Sequence, residues 1–240
     1  MSFLKKLDLY VHEAAKLRKA YPGRFDMRQL VAYFPSWRRS LTPGAGPLLD
    51  RSPWITFSAK RFLEENINPT MRVFEYGAGG STLFFAARVR EVVSVEHNPD
   101  WSRKTIDALK ISGLKNWRVL LCEPQPDPQS SSKDRADPNA YISDDAHFHG
   151  KSFKDYVQKI QEYEAGYFDL IFIDGRARPS CFALALKSVK RPGLILWDNT
   201  DRDYYAPAMQ LASASFEFID FPGPLPYVPA FGRTSVWRCF

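Results

Sequence analysis

This sequence predicts an α/β fold built on a parallel sheet, and three observations support it. Apolar runs of strand length alternate with helical stretches from Arg72 onward. A glycine-rich turn, Gly77-Ala78-Gly79-Gly80, follows the first run and opens a helix at Ser81. The last two runs, Phe216–Phe221 and Thr234–Cys239, are joined by a proline-rich turn without a helix, which implies an antiparallel hairpin.

Residues 1 to about 50 read as a helical lead-in ending in Thr42-Pro43-Gly44-Ala45-Gly46-Pro47. That linker sets residues 1–52 apart from a domain over 53–240. After Pro53-Trp54-Ile55-Thr56 a helix runs to about Asn66. Strand Arg72–Tyr76 precedes helix Ser81–Arg90, and strand Val92–Glu96 precedes helix Pro99–Ser112. A third strand spans Trp117–Cys122. Phe168–Ile173 is apolar enough for a central parallel strand. Helix Ser180–Lys190, strand Gly193–Trp197 and a helix near Tyr204–Ala214 lead to the hairpin.

Residues 123–150 break this rhythm. They are rich in Pro, Ser and Asp and too long for an ordinary strand-to-helix loop. They leave the third strand at the end where open α/β sheets bind ligands, so a lid or acceptor-binding loop is expected, with a plain surface insertion the alternative.

Composition is that of an ordinary soluble globular protein of 240 residues. No apolar run approaches the roughly 18 residues of a membrane span. No signal peptide is visible at Met1-Ser2-Phe3-Leu4-Lys5-Lys6, and three cysteines without metal-ligand spacing suit a reducing compartment. The cytoplasm is the expected location. The first 40 residues hold nine Lys/Arg against Asp8, Glu13 and Asp26, a net +6 that equals the whole chain's. Leu4, Leu7, Val11, Ala14, Ala15 and Leu17 are expected to pack on the domain as an ordinary amphipathic helix, with peripheral membrane contact the alternative. No interleaved basic–aromatic module appears, so nucleic acid is not an expected partner.

The acidic residues carry the cofactor reading. Strand, glycine turn, helix, strand and acid is the layout of a nucleotide-binding βαβ unit, with Glu96 placed to grip ribose hydroxyls. A dinucleotide fingerprint would need its third glycine at Thr82, and Glu75 before the turn would repel a pyrophosphate. A phosphate-free sulfonium nucleoside tolerates that acid.

At Glu75, Gly77 and Gly79, with Gly80 beside them, the chain resembles the class I S-adenosylmethionine-dependent methyltransferases. The terminal hairpin agrees, since the seven-stranded Rossmann-like methyltransferase sheet ends in one. The likeness covers about residues 53–240, and implies that Glu75, Gly77, Gly79, Gly80, Ser81, Glu96, His97 and Asp174 bind S-adenosylmethionine. Asn98 and Glu123 are weaker candidates near adenine. Trp54 and Thr56 sit where the family's lead-in closes over the cofactor, although Trp54 reads rather as a core anchor.

Ile173-Asp174-Gly175-Arg176-Ala177-Arg178 and Trp197-Asp198-Asn199-Thr200-Asp201-Arg202 end the fourth and fifth strands. Asp174, Asp198 and Arg176 are the catalytic candidates: carboxylates to orient or deprotonate an acceptor, an arginine to hold its oxygens. Asp174 with Asp198 and Asn199 also resembles the acid and acid–amide set by which catechol-type O-methyltransferases hold a divalent cation such as Mg2+. That family's lysine three residues after the first acid is Ala177 here. His147 and His149 are candidate bases on the lid, Tyr204 and Tyr205 could flank the acceptor, and Asp201 could pair with Arg202.

The expected activity is methylation of an oxygen, less so a nitrogen, on a small molecule or saccharide; the Asn/Asp-Pro-Pro-aromatic signature of amide and nucleobase methylation is absent. The rivals are a non-catalytic S-adenosylmethionine-binding module and another Rossmann-type enzyme such as an NAD-dependent oxidoreductase. Oligomeric state is left open.

Overall fold

A computed structural model describes residues 2–23, 26–212 and 214–240. In chain order it contains α1 (Phe3–Ala20), α2 (Met27–Ser40), α3 (Pro47–Asp50), α4 (Phe57–Asn66), β1 (Arg72–Tyr76), α5 (Gly80–Ala86), β2 (Glu91–Glu96), α6 (Pro99–Ser112) and β3 (Trp117–Leu121). There follow the short β4 (Gln125–Pro126) and β5 (Lys151–Ser152), α7 (Lys154–Gln158), β6 (Phe168–Ile173), α8 (Arg178–Ser188), β7 (Val189–Asp198), α9 (Ala206–Met209), β8 (Phe216–Pro224) and β9 (Phe231–Cys239).

Seven strands form one sheet in the order β3-β2-β1-β6-β7-β9-β8. The first five run parallel, and β9 is antiparallel to both β7 and β8. Strand side chains alternate between the two faces, which makes two cores. Phe74, Ile171, Ile173 and Trp197 pack with Tyr156 and Phe182 on one face; Val73, Leu170, Phe172 and Leu196 meet Leu63, Phe85 and Leu109 on the other. A fully buried Phe or Leu contributes about 1.5–3 kcal/mol, so these layers hold the strand ends in place.

Local chemistry sets the helix limits. Thr56 and Asn98 cap α4 and α6 by accepting the N–H of Ala59 and Trp101, and Gly113 closes α6 in the left-handed conformation. The helix expected over Tyr204–Ala214 is shorter: a 3-10 turn at Asp203–Tyr205 runs into α9, and Ser213 lies outside the described residues. Residues 123–150 carry 3-10 turns and are tied at both ends by the β4–β5 ribbon.

The phase of α1 corrects one expectation. Lys6, Tyr10 and Leu17 face inward, whereas Leu4, Leu7 and Val11 point to solvent. The neighbours explain the choice. Tyr10 stacks edge-on with Trp37 and Phe231 at 4.9 Å and donates to Leu30 O at 2.6 Å. The Lys6 ammonium reaches the carbonyls of Arg38 and Leu41 at the end of α2, where a helix dipole favours a cation.

Candidate active site

The carboxyl ends of β1, β2, β6 and β7 open into one cavity of about 760 Å3. Gly77 begins the turn after β1 with φ 95°, a left-handed angle that side chains resist. Its N–H donates to Val95 O at 2.8 Å, and a Cβ on it would come within 3.0 Å of Gly175 Cα. The turns after β1 and β6 therefore touch backbone to backbone.

Thr82 holds the glycine turn from below. Its hydroxyl accepts from Gly79 N at 2.9 Å and donates to Glu75 Oε2 at 2.6 Å. Ser94 donates to the same oxygen at 2.5 Å. A third fingerprint glycine could not make these bonds. Glu75 is fully buried and does not line the cavity, so its expected contact with a ligand is replaced by support of the turn. Burial pushes its carboxyl up to about 7, against the hydroxyls of Ser81, Ser94 and Thr82, which favour the charge.

Glu96 does line the cavity. Its Oε2 accepts from Ala78 N at 3.0 Å, and Oε1 accepts from His97 N and Asn98 N at 2.8 Å each. One carboxylate thus ties the glycine turn to the start of α6. Gly77, Gly79, Gly80, Ser81 and His97 share the wall. The His97 Nδ1 lies 2.9 Å from Glu96 Oε1 without hydrogen-bond alignment, and its ring meets Phe148 edge-on at 5.2 Å.

The turns after β6 and β7 are stitched together by Arg178. Its Nε donates to Gly175 O, Nη1 to Asp198 O and Asn199 Oδ1, and Nη2 to Asp174 O and Oδ1, all between 2.7 and 3.0 Å. Every guanidinium nitrogen is engaged within the protein. Asp198 is buried and accepts from Thr234 Oγ1 at 2.6 Å; Thr234 accepts in turn from Thr56 N at 3.3 Å. Burial raises both acids. At Asp174 the Arg178 charge opposes the rise, and at Asp198 the Asp174 charge adds to it.

Arg176 and Arg202 line the cavity beside this cluster. The insertion holds both: Arg176 Nη2 meets Asp145 Oδ2 at 3.1 Å and stacks over Phe148, while Arg202 Nη1 meets Asp144 Oδ2 at 3.0 Å. Arg202 therefore pairs across the fold instead of with Asp201. Tyr204 and Tyr205 bond to Arg202 and border a smaller recess with Asp144 and Arg135. No residue of 123–150 lines the main cavity; the segment braces its arginines from outside. His147 and His149 are exposed, and His147 turns to Asp145 at 2.8 Å. Glu123 is exposed and also off the wall.

The family profile described as "Methyltransferase domain" matches residues 74–200, the stretch that runs from within β1 to just past β7 and carries Glu75, Glu96, Asp174 and Asp198. The chain belongs to the class I S-adenosylmethionine-dependent methyltransferases. The fold agrees with two solved structures. One is a Klebsiella pneumoniae protein whose O-methyltransferase assignment is itself provisional, 16% identical, with TM-score 0.52 over 98% of this chain and 99% of that one. The other is an rRNA methylase from Streptococcus thermophilus, 11% identical, with TM-score 0.51 over 75% and 93%. No curated protein matches.

The methyltransferase cavity suits its cofactor. The backbone cradle at Gly77–Gly80 adjoins buried Glu96, and Asp174 and Asp198 line the same cavity with Arg176, Arg178 and Arg202, so carboxylate acceptors stand ready for hydroxyl and amino groups. The divalent metal expected from Asp174, Asp198 and Asn199 does not fit. Arg178 already takes Asp174 Oδ1 and Asn199 Oδ1, and Thr234 takes Asp198 Oδ1. Among the described residues there is no group of three or more His, Cys, Asp or Glu able to hold a metal.

Four further wall residues come from packing that spacing does not reveal. Trp101 lines the cavity and donates its indole N–H to Ala78 O at 2.6 Å. Pro47, Leu225 and Val228 join it from the linker and the hairpin turn. Trp54 also lines the cavity and is 41% exposed, edge-on to Tyr227, so it is no core anchor. Thr56 sits behind it, donating to Phe221 O.

Pro47 reaches the site because Gly80 has no side chain. A Cβ there would fall 2.1 Å from Pro47 O and 2.5 Å from Ser52 O. Gly80→Ala should therefore push residues 47–52 outward and cost about 1–3 kcal/mol of stability. A thermal melt of wild-type midpoint, with wild-type affinity for S-adenosylhomocysteine, would contradict this close approach.

Proposed function

We propose that the chain methylates an oxygen of a small molecule or saccharide, with Asp198 and Asp174 receiving the acceptor. One observation carries the reading: two carboxyls raised by burial line the same cavity as Glu96 and the glycine turn. Such groups take up a proton close to neutral pH, as a base for a hydroxyl must. Nitrogen acceptors need less, because an amine is already nucleophilic.

In this reading Glu96 binds ribose hydroxyls, and Gly77, Gly79, Gly80 and Ser81 accommodate the rest of S-adenosylmethionine. When bound, it supplies an electrophilic methyl group on a sulfonium. The chain's own part is placement and proton removal. Asp198, fixed by Thr234, accepts the hydroxyl proton as the oxygen attacks; Asp174, fixed by Arg178, stabilises the cationic centre. Arg176 orients an oxygen-bearing group of the acceptor from beside Gly175.

The test is transfer of isotopically labelled methyl from S-adenosylmethionine to a panel of hydroxylated small molecules and saccharides, with products located by mass spectrometry. Label on oxygen, lost in Asp198→Asn, is expected. Label only on nitrogen, or full activity in that variant, would overturn the assignment.

The pH profile follows from burial. A base must be deprotonated, and a raised pKa moves that requirement upward. The acid limb of kcat/KM should lie well above the ordinary aspartate value of about 3.9. A rate that stays level down to about pH 5 would remove Asp198 from the proton-transfer role.

A further inference from the structure

The N-terminal helices present an apolar face that none of the described residues covers. Leu4, Leu7 and Val11 form one helical stripe on the outer side of α1, with Leu4 73% and Val11 60% exposed. On α2, Met27 and Val31 stand four residues apart and are also exposed, Val31 to 71%. Phe3 joins the stripes: half exposed itself, it meets Phe34 of α2 at 6.0 Å and lies under the Arg38 guanidinium at 5.3 Å. Single exposed apolar residues are common, but six on two adjoining helices mark an interaction surface.

Charge indicates what covers it. Lys5, Arg18, Lys19, Arg28, Arg38 and Arg39 are exposed on the same two helices. The first 40 residues carry the chain's whole excess of +6. A second copy would bring two such surfaces together against their own repulsion, whereas an anionic surface gains from them. Shape points the same way. The recesses beside these helices run along Ser36–Pro43 and Asp26–Tyr33, and none of the six apolar residues lines either. The six side chains stand on the outer sides of two helices, clear of both recesses. A fluid interface needs no groove.

We propose that the outer face of α1 and α2 docks peripherally on an anionic lipid bilayer. Phe3, Leu4, Leu7, Val11, Met27 and Val31 enter the headgroup boundary, and the flanking lysines and arginines meet lipid phosphates. Docking is in the plane of the surface: among the described residues no helix is long and apolar enough to cross a membrane.

Co-sedimentation of the full chain with vesicles tests this, independently of any methyl acceptor. Binding should be strong to phosphatidylcholine vesicles containing about a third phosphatidylglycerol, weak to phosphatidylcholine alone, and reduced by salt. Replacing Leu4, Leu7 and Val11 together by serine should lower partitioning at least about tenfold. Because these side chains are exposed, the thermal midpoint and S-adenosylhomocysteine affinity should not move. Arg38→Glu with Arg39→Glu should weaken the anionic preference. Failure to bind anionic vesicles, equal binding by wild type and the serine variant, or a self-association that the serine variant abolishes in the absence of lipid binding would each overturn the proposal.

Discussion

Arg178→Ala should abolish turnover and lower stability by about 2–3 kcal/mol, the range for leaving polar groups of a part-buried cluster without their donor. The guanidinium joins the turn after β6 to the end of β7 through five hydrogen bonds, three of them to backbone carbonyls. Without it, Asp174 and Asp198 face each other's charge in a buried setting with no nearby cation of equal reach. The strand ends should part and the acids lose their mutual placement. Arg178→Lys should recover little, since one ammonium cannot span acceptors on both turns. Thermal melts read the effect directly. A variant within about 1 kcal/mol of wild type would show that the five bonds contribute no more than surface contacts do.

Glu96→Ala should weaken S-adenosylmethionine binding by about 1–3 kcal/mol, the range for hydrogen bonds to a charged group. Two losses combine. The proposed ribose contact disappears, and Ala78, His97 and Asn98 lose the acceptor of their N–H groups. Glu96→Gln separates them: an amide keeps one acceptor oxygen and should fall between wild type and alanine. Calorimetry decides. Equal affinity in all three proteins would remove Glu96 from the cofactor site.

Much of this frame was legible beforehand. β1, α6 and β6 fall at their expected limits because apolar period, an Asn cap and a closing glycine all agree there. The place of Glu96 on the cavity wall was legible because the acid ends a strand beside the glycine turn. The position of Arg176 and Arg178 at the cavity was legible too, but their separate partners were not. Arg176 and Arg178 are two residues apart, but Ala177 between them is left-handed, with φ 49°. That single angle sends one side chain to the insertion and the other into the protein, and no residue type announces it. Glu75 misled for a related reason. An acid before a glycine turn has the right chemistry for a cofactor, but strand alternation points its carboxylate toward Thr82 and Ser94. The outward stripe of α1 was missed because periodicity finds an apolar face without saying which face the protein covers.

The wall residues have an origin that bears on acceptor choice. The matched family stretch, 74–200, supplies the acids and the glycine turn, but Pro47, Trp54, Leu225 and Val228 lie outside it. Under the proposed activity, the acids would come from one length of chain and much of the apolar wall from others. Lengthening or trimming the turn between β8 and β9 would reshape that wall while leaving Glu96, Asp174 and Asp198 in place, a change of fit without a change of reacting groups.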